Sequence, residues 1–125
     1  MCLITKSKDY KVAEEDIVCY KVLDKEFNSL NGLHRYTIGE ENPYKDMILW
    51  NFNSLEPSWY IECGYHSFNN YDDVCTLYRR HTIITDYMIV KCVIPKGARY
   101  YEGKHTYPWG PTGYVSENII VTCVL

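Results

Sequence analysis

The sequence contains no apolar run approaching the roughly 18 to 20 residues that a bilayer-spanning helix needs, so a helical membrane anchor is not expected. Its opening, Met1-Cys2-Leu3-Ile4-Thr5-Lys6-Ser7-Lys8-Asp9, offers too short an apolar stretch for the core of an export signal. A cytoplasmic location is expected. An excess of basic residues is also missing: 13 Lys and Arg stand against 16 Asp and Glu, for a formal net charge of -3. A chain that reads duplex nucleic acid would normally carry a basic face, so duplex binding is not expected. The six cysteines, at 2, 19, 63, 75, 92 and 123, form no close pairs. Without export, free thiols are the expectation rather than a disulfide framework. The patterns G-x-S-x-G, G-x-x-x-x-G-K-[ST] and G-x-G-x-x-G do not occur. Serine-hydrolase, P-loop and dinucleotide-binding classes therefore drop out, and no cofactor is implied.

What is present describes a globular chain. Its 125 residues suit one domain, 1–125, and 46% hydrophobic with 23% charged residues lies near the globular average. Thirteen tyrosines against three phenylalanines are unusual. Tyrosine combines apolar area with a hydroxyl that seeks a partner, which suits either a half-buried site or the rim of a β-rich core.

Ile17-Val18-Cys19-Tyr20-Lys21-Val22-Leu23 is a nearly continuous β-prone run and reads as a central strand. His34–Ile38 reads as a short edge strand ended by Gly39, and Asp46–Trp50 as a strand or a single turn. Trp59–Cys63 and Gly64–Phe68 look extended. Asn69-Asn70 then opens a helix over about residues 70–81. Tyr71, Val74, Cys75 and Tyr78 make one apolar stripe, with Asp72 and Asp73 in the first turn and Arg79, Arg80 and His81 in the last. Tyr87–Ile94 is a strong strand stopped by Pro95-Lys96-Gly97, and Asn118–Leu125 is a closing strand expected to pair inside the sheet. The glycine- and proline-rich stretch Glu102–Gly113 reads as a long surface loop. Cys19, Cys92 and Cys123 lie within apolar runs and are expected in the core. These elements predict an α+β fold, with a mostly antiparallel, strongly twisted sheet and one well-defined helix packed on it.

Three constellations carry chemistry. Cys63-x2-His66 and Cys75-x5-His81 have zinc-ligand residue types at roughly finger-like spacing, but the helix stripe already claims Cys75 and no metal is assigned. His66 and Ser67, on a strand leading into the helix, form a second candidate, because imidazole exchanges protons near neutral pH; a structural hydrogen bond at His66 and a turn-assisting Ser67 are the more ordinary account of them. The third is a basic and aromatic set. Guanidinium forks bind phosphate or carboxylate and aromatic rings stack on bases, so Lys21, His34, Arg35, Tyr36, Arg79, Arg80, Lys96, Arg99, Tyr100 and Tyr101 suit a small anionic or nucleotide-like ligand. Arg79 and Arg80 also have an ordinary place at a helix C-terminus.

Cys19-Tyr20-Lys21-Val22-Leu23, Gly64-Tyr65-His66-Ser67-Phe68, the stretch Cys92–Gly103 and Tyr114–Ile120, taken in that order, resemble short uncharacterised proteins of gut bacteria, their mobile elements and phages. That resemblance spans most of the chain and implies a setting rather than an activity. The chain is also similar to ADP-ribosyltransferases, with Tyr20-Lys21, Ser67 and Val93-Ile94-Pro95-Lys96-Gly97 at matching positions. Lys91-Cys92 stand where that family carries its late glutamate, so the resemblance implies a pocket without transferase chemistry.

The expectation is a non-enzymatic binding protein of a phage or mobile element that captures a small anionic or nucleotide-like ligand or masks a host protein. Its binding residues would be Tyr20, Lys21, His34, Arg35, Tyr36, His66, Ser67, Arg79, Arg80 and Tyr100. One alternative is an ADP-ribosyltransferase-like enzyme with Glu117 or Glu62 as a displaced acid. Another is a protein-binding module using the Tyr107-Pro108-Trp109-Gly110 loop.

Overall fold

The computed structural model describes residues 3–30, 34–51, 58–81, 87–106 and 110–125, with backbone alone at 80 and 81. In chain order the elements are β1 (Leu3–Thr5), β2 (Lys11–Val12), β3 (Ile17–Asp24), β4 (Leu49–Trp50), β5 (Trp59–Ile61), β6 (Tyr65–Phe68), α1 (Tyr71–His81), β7 (Tyr87–Ile94), β8 (Arg99–His105), β9 (Thr112–Ser116) and β10 (Ile120–Val124). One twisted antiparallel sheet runs β10-β7-β3-β6-β9-β8-β1-β5-β4, and β2 adds to β8. The α+β expectation fits, with the sheet dominating.

The β-branched runs of β3 and β7 pair over eight residues, from Ile17 opposite Ile94 to Asp24 opposite Tyr87. Neighbouring side chains on a strand point to opposite faces. Val22 of β3 and Ile89 of β7 therefore turn toward α1, where they pack with Phe68, Val74 and Leu77. Cys19, Leu23, Val90, Cys92 and Ile94 turn the other way and build the main core with Tyr36, Tyr65, Tyr114, Ile119 and Val121. Burial on both faces is why β3 and β7 lack the polar alternation of a half-solvated strand. Asn70 starts α1 by accepting the Asp72 N–H on its Oδ1 at 2.7 Å, as an N-cap residue does. At the end of β7 Gly97 takes φ 90° and its N–H donates to the Ala13 carbonyl at 2.8 Å.

Several expectations change. The stretch Glu102–Gly113 is not one loop: β8 and β9 enter it from both ends and pair in register from Tyr100 opposite Ser116 to Lys104 opposite Thr112. Alternating core residues, Tyr101 and His105 on β8 and Val115 on β9, outweigh its glycines. His34–Ile38 forms no strand and makes only isolated bridges, Asn28 with Arg35 and Ile38 with Val121. β10 lies at the sheet's edge, where Cys123 is exposed rather than core. On α1 the buried face is Val74 and Leu77, whereas Tyr71 is 46% exposed. No helix among the described residues is long and apolar enough to cross a membrane.

Candidate functional site

Lys21 occupies a core position. Strand alternation places it between Cys19 and Leu23 on the sheet face away from α1, and only 9% of its surface is exposed. An ammonium so placed needs compensation. Its Nζ donates to the carbonyl of His66 on the adjoining β6 and lies 5.3 Å from the centroid of the Tyr36 ring, within cation–π range.

The segment carrying His34, Tyr36, Asn42 and Lys45 is strapped across this face. Asn42, buried, donates through Nδ2 to the Ile119 carbonyl at 2.7 Å, which turns its Oδ1 toward His34 Nε2 at 3.0 Å. Tyr65 of β6 donates its hydroxyl to the Pro43 carbonyl at 2.6 Å. Burial, then the neighbouring Tyr36, pushes the Tyr65 hydroxyl up to about 12, so it stays a donor. The Lys45 N–H donates to the Glu117 carbonyl at 2.9 Å. His34 meets the rings of Tyr36 and Tyr65 edge-on, at 4.5 and 5.2 Å between centroids.

Lys45 Nζ lies 4.6 Å from the centroid of the Tyr65 ring. Burial and then the Lys21 ammonium hold its pKa below the ordinary lysine value, and only Cys63 acts in the opposite sense. Two ammonium groups thus share one aromatic wall and repel each other. Neither has a carboxylate partner among the described residues.

Of the residues expected at a site, Lys21, His34 and Tyr36 converge here. Tyr100 joins the same core from β8, packed edge-on to Tyr114 at 5.8 Å. Ser67 is also buried on this face, and its Oγ has no hydrogen-bond partner among the described residues. The remainder scatter. Tyr20 points to the α1 face and packs against Tyr71 at 5.7 Å, Arg35 is exposed on the chain beyond β3, and Arg79 is exposed on α1. The side chain of Arg80 lies outside the described residues, as do Tyr107, Pro108 and Trp109 of the proposed interaction loop.

His66 does not face the lysines. Its ring turns to the α1 side of the sheet, with Nε2 3.3 Å from the Ile61 carbonyl and its centroid 5.7 Å from that of His105. Burial, then His105, then Lys21 lower its pKa to about 3. Such a histidine stays neutral, a structural group rather than a proton-exchanging one. Cys63 is exposed and Cys75 sits on α1, and among the described residues no group of three or more His, Cys, Asp or Glu could hold a metal ion.

Sequence reasoning missed Lys45, Asn42 and Tyr65. Tyr65 was legible, because it stands two residues from Ser67 on one strand and so shares its face. Lys45 and Asn42 carry no local signal. Glu117 is already committed: its Oε2 takes Nε and Nη2 of Arg99, both at 2.8 Å, and its Oε1 takes the Arg99 N–H at 3.0 Å. Set against protein-family models, curated proteins and solved structures, the chain matches none of them.

Proposed function

We propose that this protein is a non-enzymatic binding protein that captures a small anionic, nucleotide-like ligand at the face where Lys21 and Lys45 meet. The observation that carries this reading is the pair of mutually repelling ammonium groups with no carboxylate partner among the described residues. A phosphate or carboxylate there removes the repulsion and gains charge-assisted hydrogen bonds, with the half-buried His34 ring beside it and the buried Tyr36 and Tyr65 rings behind. Lys45 is the direct contact, because it is only half-buried, while the buried Lys21 acts through its field. In this reading the protein works in the cytoplasm, as an accessory of a phage or mobile element.

Transferase chemistry is disfavoured, since Glu117 is held in the Arg99 fork and Cys92 is buried opposite Cys19. Masking of a host protein is the second reading. It rests on Tyr44 and Ile48, which flank Lys45 and are 64% and 59% exposed, as interface anchors are.

Calorimetric titration with AMP, ATP and inorganic pyrophosphate tests capture. Lys45→Met is expected to weaken binding about 10- to 100-fold, the loss of one charged hydrogen bond, and Arg35→Met to leave it unchanged. Absence of binding at millimolar ligand, or equal binding by Lys45→Met, would refute the proposal.

A further inference from the structure

Cys19 of β3 and Cys92 of β7 are direct partners across the antiparallel pair, and both are fully buried. Directly opposed residues in such a pair have Cα atoms about 4.5 or 5.5 Å apart. Either separation falls within the roughly 4.4 to 6.8 Å that a disulfide spans. The register therefore meets the Cα condition for a disulfide between the two.

The surroundings divide the labour between the thiols. Burial at Cys19 opposes ionisation, but the Cys92 thiol, the Ser67 side chain and the Lys21 ammonium together outweigh it and bring its pKa below the ordinary value. Cys92 is pushed up, first by its hydrogen bond to Cys19 and then by burial. Cys19 is thus the more acidic of the two sulfurs, and the thiolate is the nucleophilic form.

We propose that Cys19 and Cys92 form a redox-active dithiol that a hydroperoxide closes to a disulfide. The Cys19 thiolate attacks one peroxide oxygen and the O–O bond breaks. The departing hydroxide takes up the proton that Cys19 lost on ionising, and Cys19 is left as a sulfenic acid. The Cys92 sulfur then attacks the Cys19 sulfur, the S–O bond breaks, and the leaving hydroxide accepts the Cys92 proton. In sum, two thiols and hydrogen peroxide give one disulfide and two waters. The thiols lose two electrons and the peroxide gains them. Hydrogen peroxide is close to water in size, which suits a pair that bulkier oxidants cannot reach.

The experiment treats the folded protein with increasing hydrogen peroxide, alkylates in denaturant and maps tryptic peptides. The expected product is a Cys19–Cys92 cross-linked peptide, lost on reduction, that forms at lower dose than oxidation of the exposed Cys63 and Cys123. A chain with the exposed Cys63→Ser and Cys123→Ser leaves Cys19 and Cys92 in place and is expected to lose two titratable thiols. Cys92→Ala is expected to stop at a Cys19 sulfenic acid, trapped by a cyclic diketone once the oxidised chain is unfolded in denaturant. If Cys19 and Cys92 remain fully alkylatable while Cys63 and Cys123 oxidise, or if Cys92 joins another cysteine, the pair is packing alone and the proposal fails.

Discussion

His105 Nε2 donates to the carbonyl of Ser67 across 2.7 Å, and the bond passes directly over Gly113. A Cβ on Gly113 would overlap both the imidazole and that carbonyl oxygen. The glycine that made this stretch look like a loop is therefore the residue that lets β9 lie flat between β6 and β8.

Gly113→Ala is expected to destabilise the protein by about 1 to 3 kcal/mol, the usual cost of overpacking, because the obstructing atoms include backbone. Urea unfolding measures it, and an unchanged midpoint would show that β9 has room to shift.

His66 and His105 set an acid limit on stability. Burial comes first in both cases and brings their pKa values to about 3 and about 4, against an ordinary 6.5. Between about pH 6.5 and 4 the unfolded chain binds protons that the folded chain refuses, so stability is full above pH 6.5 and falls as pH drops through that window. The slope approaches about 1.4 kcal/mol per pH unit for each histidine. Urea midpoints at pH 7, 6 and 5 report it, and His66→Gln is expected to flatten the slope.

Lys21→Met should separate stability from binding. Removing a buried ammonium that has no anionic partner among the described residues is expected to raise the unfolding free energy by about 1 kcal/mol, while ATP or pyrophosphate binds more weakly. A loss of stability would mean that the bond to the His66 carbonyl outweighs the cost of burying the charge.

Asn70→Ala removes the N-cap of α1 and is expected to cost about 1 kcal/mol. The loss would appear as a lower melting temperature with the sheet's spectroscopic signature retained.

Glu117→Ala leaves the Arg99 N–H without its carboxylate acceptor, and a loss of about 1 to 3 kcal/mol is expected. No change in stability would return Glu117 to consideration as a free acid.

The amino-acid sequence alone determined those elements whose signal is local. β3 and β7 follow from apolar, β-branched runs too long for a loop, and α1 follows from Asn70, two acidic residues in the first turn and a stripe repeating every three to four residues. Tertiary structure decided the rest. Contacts between distant strands override local glycine content, which is why β8 and β9 exist where a loop was expected. The same contacts leave Cys123 on an exposed edge while Cys19 and Cys92 face each other in the core. The candidate site followed the same division: Lys21, His34 and Tyr36 were chosen by residue type, but Lys45, Asn42 and Tyr65 reach them only because a segment with no periodicity is strapped over β3 and β6. Which charges end up without a partner depends on the packing of residues far apart in the chain, and no local pattern encodes it.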